Sequence, residues 1–411
     1  MSQTSCRSSS SPTWYHNLPS EILVRIFEHL EESEIRKSVM LVCRQWKFAA
    51  TRPVLWKKLH IYGERVPTNF ICQRIRCLPY LTTIHLREIS EPAFIIRQIM
   101  RWLPKLKHFT LRNSGTVSET VLRNLIQRCR QLETLDISGT TFRGCKFYEE
   151  IAGLMNLRHI NLSKNYSLNI NNFMTALVNC HKLEELKVTT VLSDKETGRL
   201  SDTHVLFIIS NFANNLTGLG LDASSLTDFS FKVVTQCTKL KTLSLHNARN
   251  LSPEVLLRIW KSLQNLNTLK VREANQIDGS TIAELFNSNR ENLLRVTSID
   301  LTGCWKINDA GIAAIANCRE LERLRLKGCK SIQSLRPIRD SCTKLKKLNI
   351  AFCINLDPWT ILPLPEKLNK LILDKSSRFS PIRHSMFAYD HVMVKVCLSE
   401  YNRSMENYTC H

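Results

Sequence analysis

The chain has 411 residues and a formal charge of +21, from 57 Lys or Arg against 36 Asp or Glu. Its 43% apolar and 23% charged content is that of a folded globular protein, and no apolar run approaches the ~18 residues of a membrane span. The start, Met1 to Arg7 and then four serines, lacks the apolar core of a secretory leader. The expected residence is therefore intracellular, in cytoplasm, nucleus or both, with no membrane partner. The basic residues are scattered, and no zinc-finger spacing, basic zipper or aromatic-rich RNA-binding motif accompanies them, so nucleic acid is not expected as a partner.

Residues 1–13 read as a disordered, Ser-rich tail. Residues 14–60 read as a small helical module. Pro19 suits the first turn of a helix, and Ile22, Leu23, Ile26, Phe27 and Leu30 follow at helical spacing. Val39, Val42, Cys43, Trp46 and Ala50 form a second run, which Pro53 ends. The polar stretch Glu31–Lys37 leaves the start of that second helix open. So few residues cannot bury so many large side chains alone, so part of the apolar face must meet another surface.

From Leu81 to Leu373 one phrase recurs twelve times: apolar, two residues, apolar, one residue, apolar. Leu132–Leu135–Ile137 and Leu321–Leu324–Leu326 are examples. The interval is 23 to 26 residues except for two longer steps, 183 to 216 and 266 to 296. A degenerate first copy is Trp56–Leu59–Ile61. Alternation at period two makes each phrase a strand, and a helical pattern such as Val121, Leu122, Leu125, Ile126 and Cys129 follows it. No strand–helix unit can bury its own apolar face, so the units stack on one core. The long steps place extra residues in Thr190–Thr203 and around Phe286–Glu291, expected as loops. Eight cysteines keep a fixed place in the repeat: Cys129, Cys180, Cys237, Cys318 and Cys342 before the phrase, and Cys304, Cys329 and Cys353 after it. They read as buried structural thiols. Residues 61–374 are thus the repeat region, and 375–411 a C-terminal cap or tail. Within that tail, the alternation His391–Val396 suggests one more strand.

No catalytic residue, metal site or cofactor emerges. Cys-x-x-Cys pairs, a phosphate loop, His-Glu-x-x-His and a serine elbow are all missing from the sequence. Cys145, flanked by Arg143 and Lys146, is a lone thiol with no assigned histidine.

The repeats resemble the cysteine-containing class of leucine-rich repeats, most closely over Leu301–Cys318. That resemblance implies an α/β solenoid: a curved horseshoe with a concave parallel sheet and convex helices. The helical module resembles an F-box, through Leu18-Pro19, the Ile22–Phe27 stripe, Val42-Cys43-Arg44-Gln45-Trp46 and Leu55–Leu59. The pairing implies a non-catalytic substrate receptor of an SCF-type cullin–RING ubiquitin ligase. Its partners would be the S-phase kinase-associated adaptor protein and, through it, the cullin scaffold and RING subunit. Carried over by position, the adaptor contacts are Leu18, Pro19, Ile22, Leu23, Ile26, Val42 and Trp46; Leu23 and Ile26 fit internal packing equally well. Concave strand positions supply the expected target contacts: Arg87, Arg112, Lys187, His246, Lys270, Arg272, Arg325 and Lys327. Clustered Arg and Lys suit an acidic or phosphorylated target. Two alternatives stay open: a non-degradative scaffold on the same adaptor, and a solenoid whose front helices only cap it.

Overall fold

The computed structural model describes residues 18–63, 65–142, 144, 146–165, 168–189, 199–288, 290–380, 382 and 391–397. The expected tail at 1–13, Cys145, most of the Thr190–Thr203 insertion and the end of the C-terminal segment lie outside these residues.

Among the described residues, fourteen strands form one sheet in strict chain order, every neighbour parallel. They are β1 (Lys58–Tyr62), β2 (Thr83–Arg87), β3 (His108–Arg112), β4 (Thr134–Asp136), β5 (His159–Asn161), β6 (Glu185–Val188) and β7 (Gly218–Asp222). They continue as β8 (Thr242–His246), β9 (Thr268–Val271), β10 (Ser298–Asp300), β11 (Arg323–Arg325), β12 (Lys347–Asn349), β13 (Lys370–Asp374) and β14 (Met393–Cys397). Twelve are the recurring phrases. The other two are the degenerate copy around Leu59 and the alternating stretch near the C-terminus, which joins the sheet beside β13.

Register does not slip. Leu59, Ile84, Phe109 and Leu135 lie side by side, as do Leu324, Leu348 and Leu371 farther along. A second apolar row contains Ile61, Leu86 and Leu111. Both rows point into a core that is continuous from Ile61 to Val392. The helices that follow the strands close this core from the other side. In the helix Glu119–Arg128, Ser118 accepts from the Val121 N–H as N-cap, and Val121, Leu122, Leu125 and Ile126 are buried. The longer step at 266 to 296 is helical, not a loop. Phe286 is buried in the helix Gly279–Ser288 against Trp260, with ring centres 5.1 Å apart, and a short helix, Arg290–Leu293, takes up the rest.

The repeat cysteines hydrogen-bond along the stack. The thiols of Cys304, Cys329 and Cys353 donate to the carbonyls of Val271, Leu301 and Leu326 in the preceding repeats, at 3.2, 3.2 and 3.0 Å. Burial pushes Cys304 and Cys353 up to about 12, so these thiols stay protonated donors.

Leaving the strand, the chain makes a sharp turn through left-handed backbone. Gly63, Glu88, Asn113, Gly139, Lys164, Asn247, Glu273, Gly303, Gly328 and Phe352 all occupy this position with positive φ. At Gly328 (φ +72°) an added Cβ would meet nothing closer than 3.9 Å, so only the backbone preference would resist it. Gly328→Ala is expected to lower stability to denaturant by about 1–2 kcal/mol, the left-handed penalty of an L-residue. Chemical unfolding of the two proteins side by side checks this.

The front module has a core of its own, made of Leu23, Phe27, Ile35, Val39, Ala49, Ala50 and Leu55. Its first helix is α1 (Ser20–Phe27). The second helical run starts at Glu32 under a Glu31–Glu34 capping box and passes through a π turn, Ile35–Val39. The sequence suggests one helix from Val39 to Ala50, but the chain breaks at Cys43 (φ −159°, ψ 172°), which instead caps the helix Arg44–Ala50 by accepting from the Trp46 N–H. Glu32 ties the module to the sheet by accepting from the Lys57 and Lys58 backbone N–H groups, both at 2.9 Å.

Candidate functional site

Two surfaces collect the residues that the sequence singles out. The first is the outside of the helical module. Every third or fourth side chain of α1 turns inward, so Leu23 and Phe27 are buried while Ile22 and Ile26 are 41% and 46% exposed. Leu30 continues that stripe, and Leu41 and Val42 stand out at 78% and 52% exposure. Pro19 is exposed and Leu18 is half-buried, its carbonyl accepting from Gln45 Nε2 at 2.7 Å. Trp46 packs on Phe27, with ring centres 5.3 Å apart, and its indole N–H is buried without an acceptor. Leu23 has no exposed surface and serves the module's own packing. Leu30, which the sequence places in the stripe but not among the adaptor contacts, and Leu41 and Phe48, which it passes over, are also exposed apolar residues. The Ile22, Ile26, Leu30 spacing of four was the available signal for the first.

The second surface is the concave face. Three rows of side chains lie there, because each strand turns alternate residues outward. The sequence reading used two of them. The third holds His108, His159, Glu185, Arg323, Lys347 and Lys370, and the same period-two logic finds it. With that row included, β11 and β12 present Arg323, Arg325, Lys327 just past the strand, and Lys347, with no carboxylate within either strand.

Two of the expected target-binding arginines are held by the protein itself. Asp300 Oδ2 accepts from Arg272 Nε and Nη2 at 3.0 and 2.6 Å, while Oδ1 accepts from the Thr302 N–H and hydroxyl. Arg112 and Asp136 repeat this arrangement at 2.9 and 2.6 Å, with Ser138 in the place of Thr302. Arg272 is only 8% exposed and Asp300 1%, so this pair is a buried brace across β9 and β10 rather than an open contact. Burial alone would raise the Asp300 pKa, but Arg272, Arg325 and these hydrogen bonds hold it well below the usual carboxylate range.

The remaining positions differ in how far they are committed. Arg325 is exposed and touches Asp300 at 3.3 Å. Lys327 lies over the Phe352 ring at 5.4 Å. Lys187 pairs with Glu185 at 2.7 Å and lies across Gly220, where a Cβ would meet its Cγ at 3.1 Å. Arg87 pairs with Glu88 at 2.9 Å. His246 sits half-buried at the end of β8. His85 stacks on His60 at 4.6 Å; burial, then that neighbour, push its pKa down to about 4, so it is neutral at pH 7.

Lys270 is the least settled group. Burial, then the Arg272 guanidinium, bring its pKa down to about 8, with Asp300 opposing. Because the charged form is disfavoured in the folded state, its penalty is fully felt below pH 8 and fades as pH rises from 8 towards 10.5. Lys270→Met is therefore expected to stabilise the fold at pH 7 by roughly 1–3 kcal/mol, with the gain falling to less than half at pH 9.5. Denaturant titrations at the two pH values check the sign and the window.

Among the described residues no group of three or more His, Cys, Asp and Glu side chains is placed to hold a metal. No described helix is long and apolar enough to cross a membrane.

Residues 15–62 match the F-box-like family model. The chain carries an F-box followed by leucine-rich repeats. An F-box/LRR-repeat protein 22 from Arabidopsis thaliana is 22% identical over 249 residues, which is 59% of this chain and 71% of that protein. The F-box protein FBX14, also from Arabidopsis thaliana, is 23% identical over 421 residues, covering 88% of this chain and 64% of the relative. This F-box/LRR chain thus spans a little under two thirds of the second relative. Among solved structures, the Rad7 and Elc1 complex in yeast contains a chain of similar fold, with TM-score 0.56 and 16% identity over 89% of this chain and 90% of that one.

Proposed function

We propose that this F-box/LRR chain is the substrate-recognition subunit of an SCF-type ubiquitin ligase. The supporting observation is the exposed apolar set Ile22, Ile26, Leu30, Leu41 and Val42, on a module whose own core is already complete. Such a surface is costly to leave in water and suits a protein partner. That partner is the S-phase kinase-associated adaptor, which brings the cullin scaffold and the RING subunit. The Rad7 chain of similar fold also occurs in a complex, with Elc1. The chain does no covalent chemistry in this reading. It holds a target near the charged ubiquitin carrier and so raises effective concentration. The target groove is the concave face, with Arg325, Lys327, Arg323 and Lys347 drawing an acidic or phosphorylated segment. Residence in cytoplasm or nucleus follows from those partners.

Ile26→Asp with Val42→Asp places two charges on the exposed stripe while sparing the module's core. Binding to purified adaptor should fall at least about a hundredfold, as expected when central apolar anchors are lost. Calorimetry measures this, and unchanged affinity would leave the front helices as a cap on the solenoid. Arg325→Glu with Lys327→Glu should abolish ubiquitination of a bound target and leave adaptor affinity intact. Adaptor binding with no ubiquitination of any bound protein would instead favour a non-degradative scaffold.

A further inference from the structure

We infer that the captured segment has a mixed chemistry: carboxylates lying over β11 and β12, and an aromatic or aliphatic anchor seated on the rim formed by Trp305, Ile354 and Trp359. This rests on the receptor reading above and narrows what that receptor selects.

The argument starts from equivalent positions in the repeat. After each of β7 to β12 the chain turns, buries one small residue and leaves the next more open. Ala223, Ala248, Ala274, Cys304, Cys329 and Cys353 are the buried residues. The residues after them are Ser224, Arg249 and the half-buried Asn275, then Trp305, Lys330 and Ile354, all but Asn275 exposed. The position is polar until β10, and from there Trp305 and Ile354 flank Lys330. Trp305 is 45% exposed and Ile354 51%, while Trp359, on the 3-10 turn Pro358–Ile361, is 62% exposed. Single exposed apolar residues are ordinary; here Trp305 follows β10, and Ile354 and Trp359 share the loop after β12, with Lys330 between the two loops.

These loops are held in place. The Trp305 indole N–H donates to Asn275 Oδ1 at 3.2 Å, and its carbonyl accepts from the Ser331 hydroxyl at 2.7 Å. The Asp357 N–H donates to the Gln333 carbonyl at 2.9 Å, seating the loop that bears Trp359. A ring fixed in this way loses little freedom when a ligand packs on it.

The same repeats supply the basic floor. Arg323, Arg325, Lys327 and Lys347 belong to β11, β12 and their exits, directly beside the rim. Lys327 joins the two: its ammonium lies over Phe352, two residues before Ile354. Lys306 likewise lies 5.2 Å from the Trp305 ring centre. A rim aromatic therefore comes with a cation beside it. The ligand that satisfies both is an acidic segment with an apolar residue, because a carboxylate alone leaves the rim wet and an apolar residue alone leaves the excess positive charge of the floor uncompensated.

The test is a synthetic array of twelve-residue peptides probed with the full chain bound to its adaptor. One set alternates Glu with neutral residues around a single Trp or Leu. Companion sets replace the anchor by Ser, the Glu residues by Gln, or one Glu by phosphoserine. Binding should require both the anchor and the carboxylates. Trp305→Ser with Trp359→Ser should weaken the anchored acidic peptides about tenfold or more and leave adaptor affinity unchanged. Equal binding of anchor-free acidic peptides, or of anchor-free phosphoserine peptides, overturns the inference while the basic floor stands. Indifference to Arg325→Glu with Lys327→Glu, or no binding by any peptide, removes the floor as the target site; loss of adaptor binding is read separately in the same preparation.

Discussion

Everything in the repeat region depends on the unbroken register of the parallel sheet. Because each strand pairs residue for residue with the next, apolar side chains fall into two continuous inner rows and polar ones into three outer rows. A slip of one residue at any strand would carry leucines to water and cations to the core. The turns and cysteines serve that register. The left-handed residue after most strands lets the chain leave the sheet at one angle, and the buried thiols tie one turn to the carbonyl of the turn before. Stability is thereby distributed along the stack, repeat by repeat.

The same register explains why chemistry on the concave face reads by row and not by motif. Residues 25 apart in sequence become neighbours. Asp300 reaches Arg272 and Arg325 in this way, and Asp136 reaches Arg112 and Asn161. Each aspartate holds an arginine from the preceding repeat; Arg272 is thereby buried, while Arg112 stays exposed but tethered. More open charge lies farther on, at β11 and β12, which carry no carboxylate of their own and where only Arg325 is touched by Asp300.

Much of this was legible from spacing alone. The strand phrases, the degenerate copy at Leu59 and the last strand at Val394 all appear in the pattern, because period-two alternation is a strong local signal. The helical module was legible through its stripe on α1. Other features depend on tertiary context. The break at Cys43 interrupts an apolar pattern that still reads as one helix. Leu23 and Ile22 are adjacent and equally apolar, and only packing separates the buried one from the exposed one. Arg272 and Lys327 look alike in the sequence, yet one lies beneath the surface on Asp300 and the other on a ring at the groove's edge. The longer step near Phe286 read as a loop because length alone does not show that the extra residues continue a helix.

In the proposed function the front module and the solenoid divide the work: one surface for the constant machinery, one for the variable target. Hydrogen–deuterium exchange of the full chain with and without the purified adaptor tests that division most directly. The account predicts slowed exchange confined to α1 and to the backbone around Leu41 and Val42, with β9 to β12 unchanged. Slowed exchange on the concave strands, or none on α1, would contradict it.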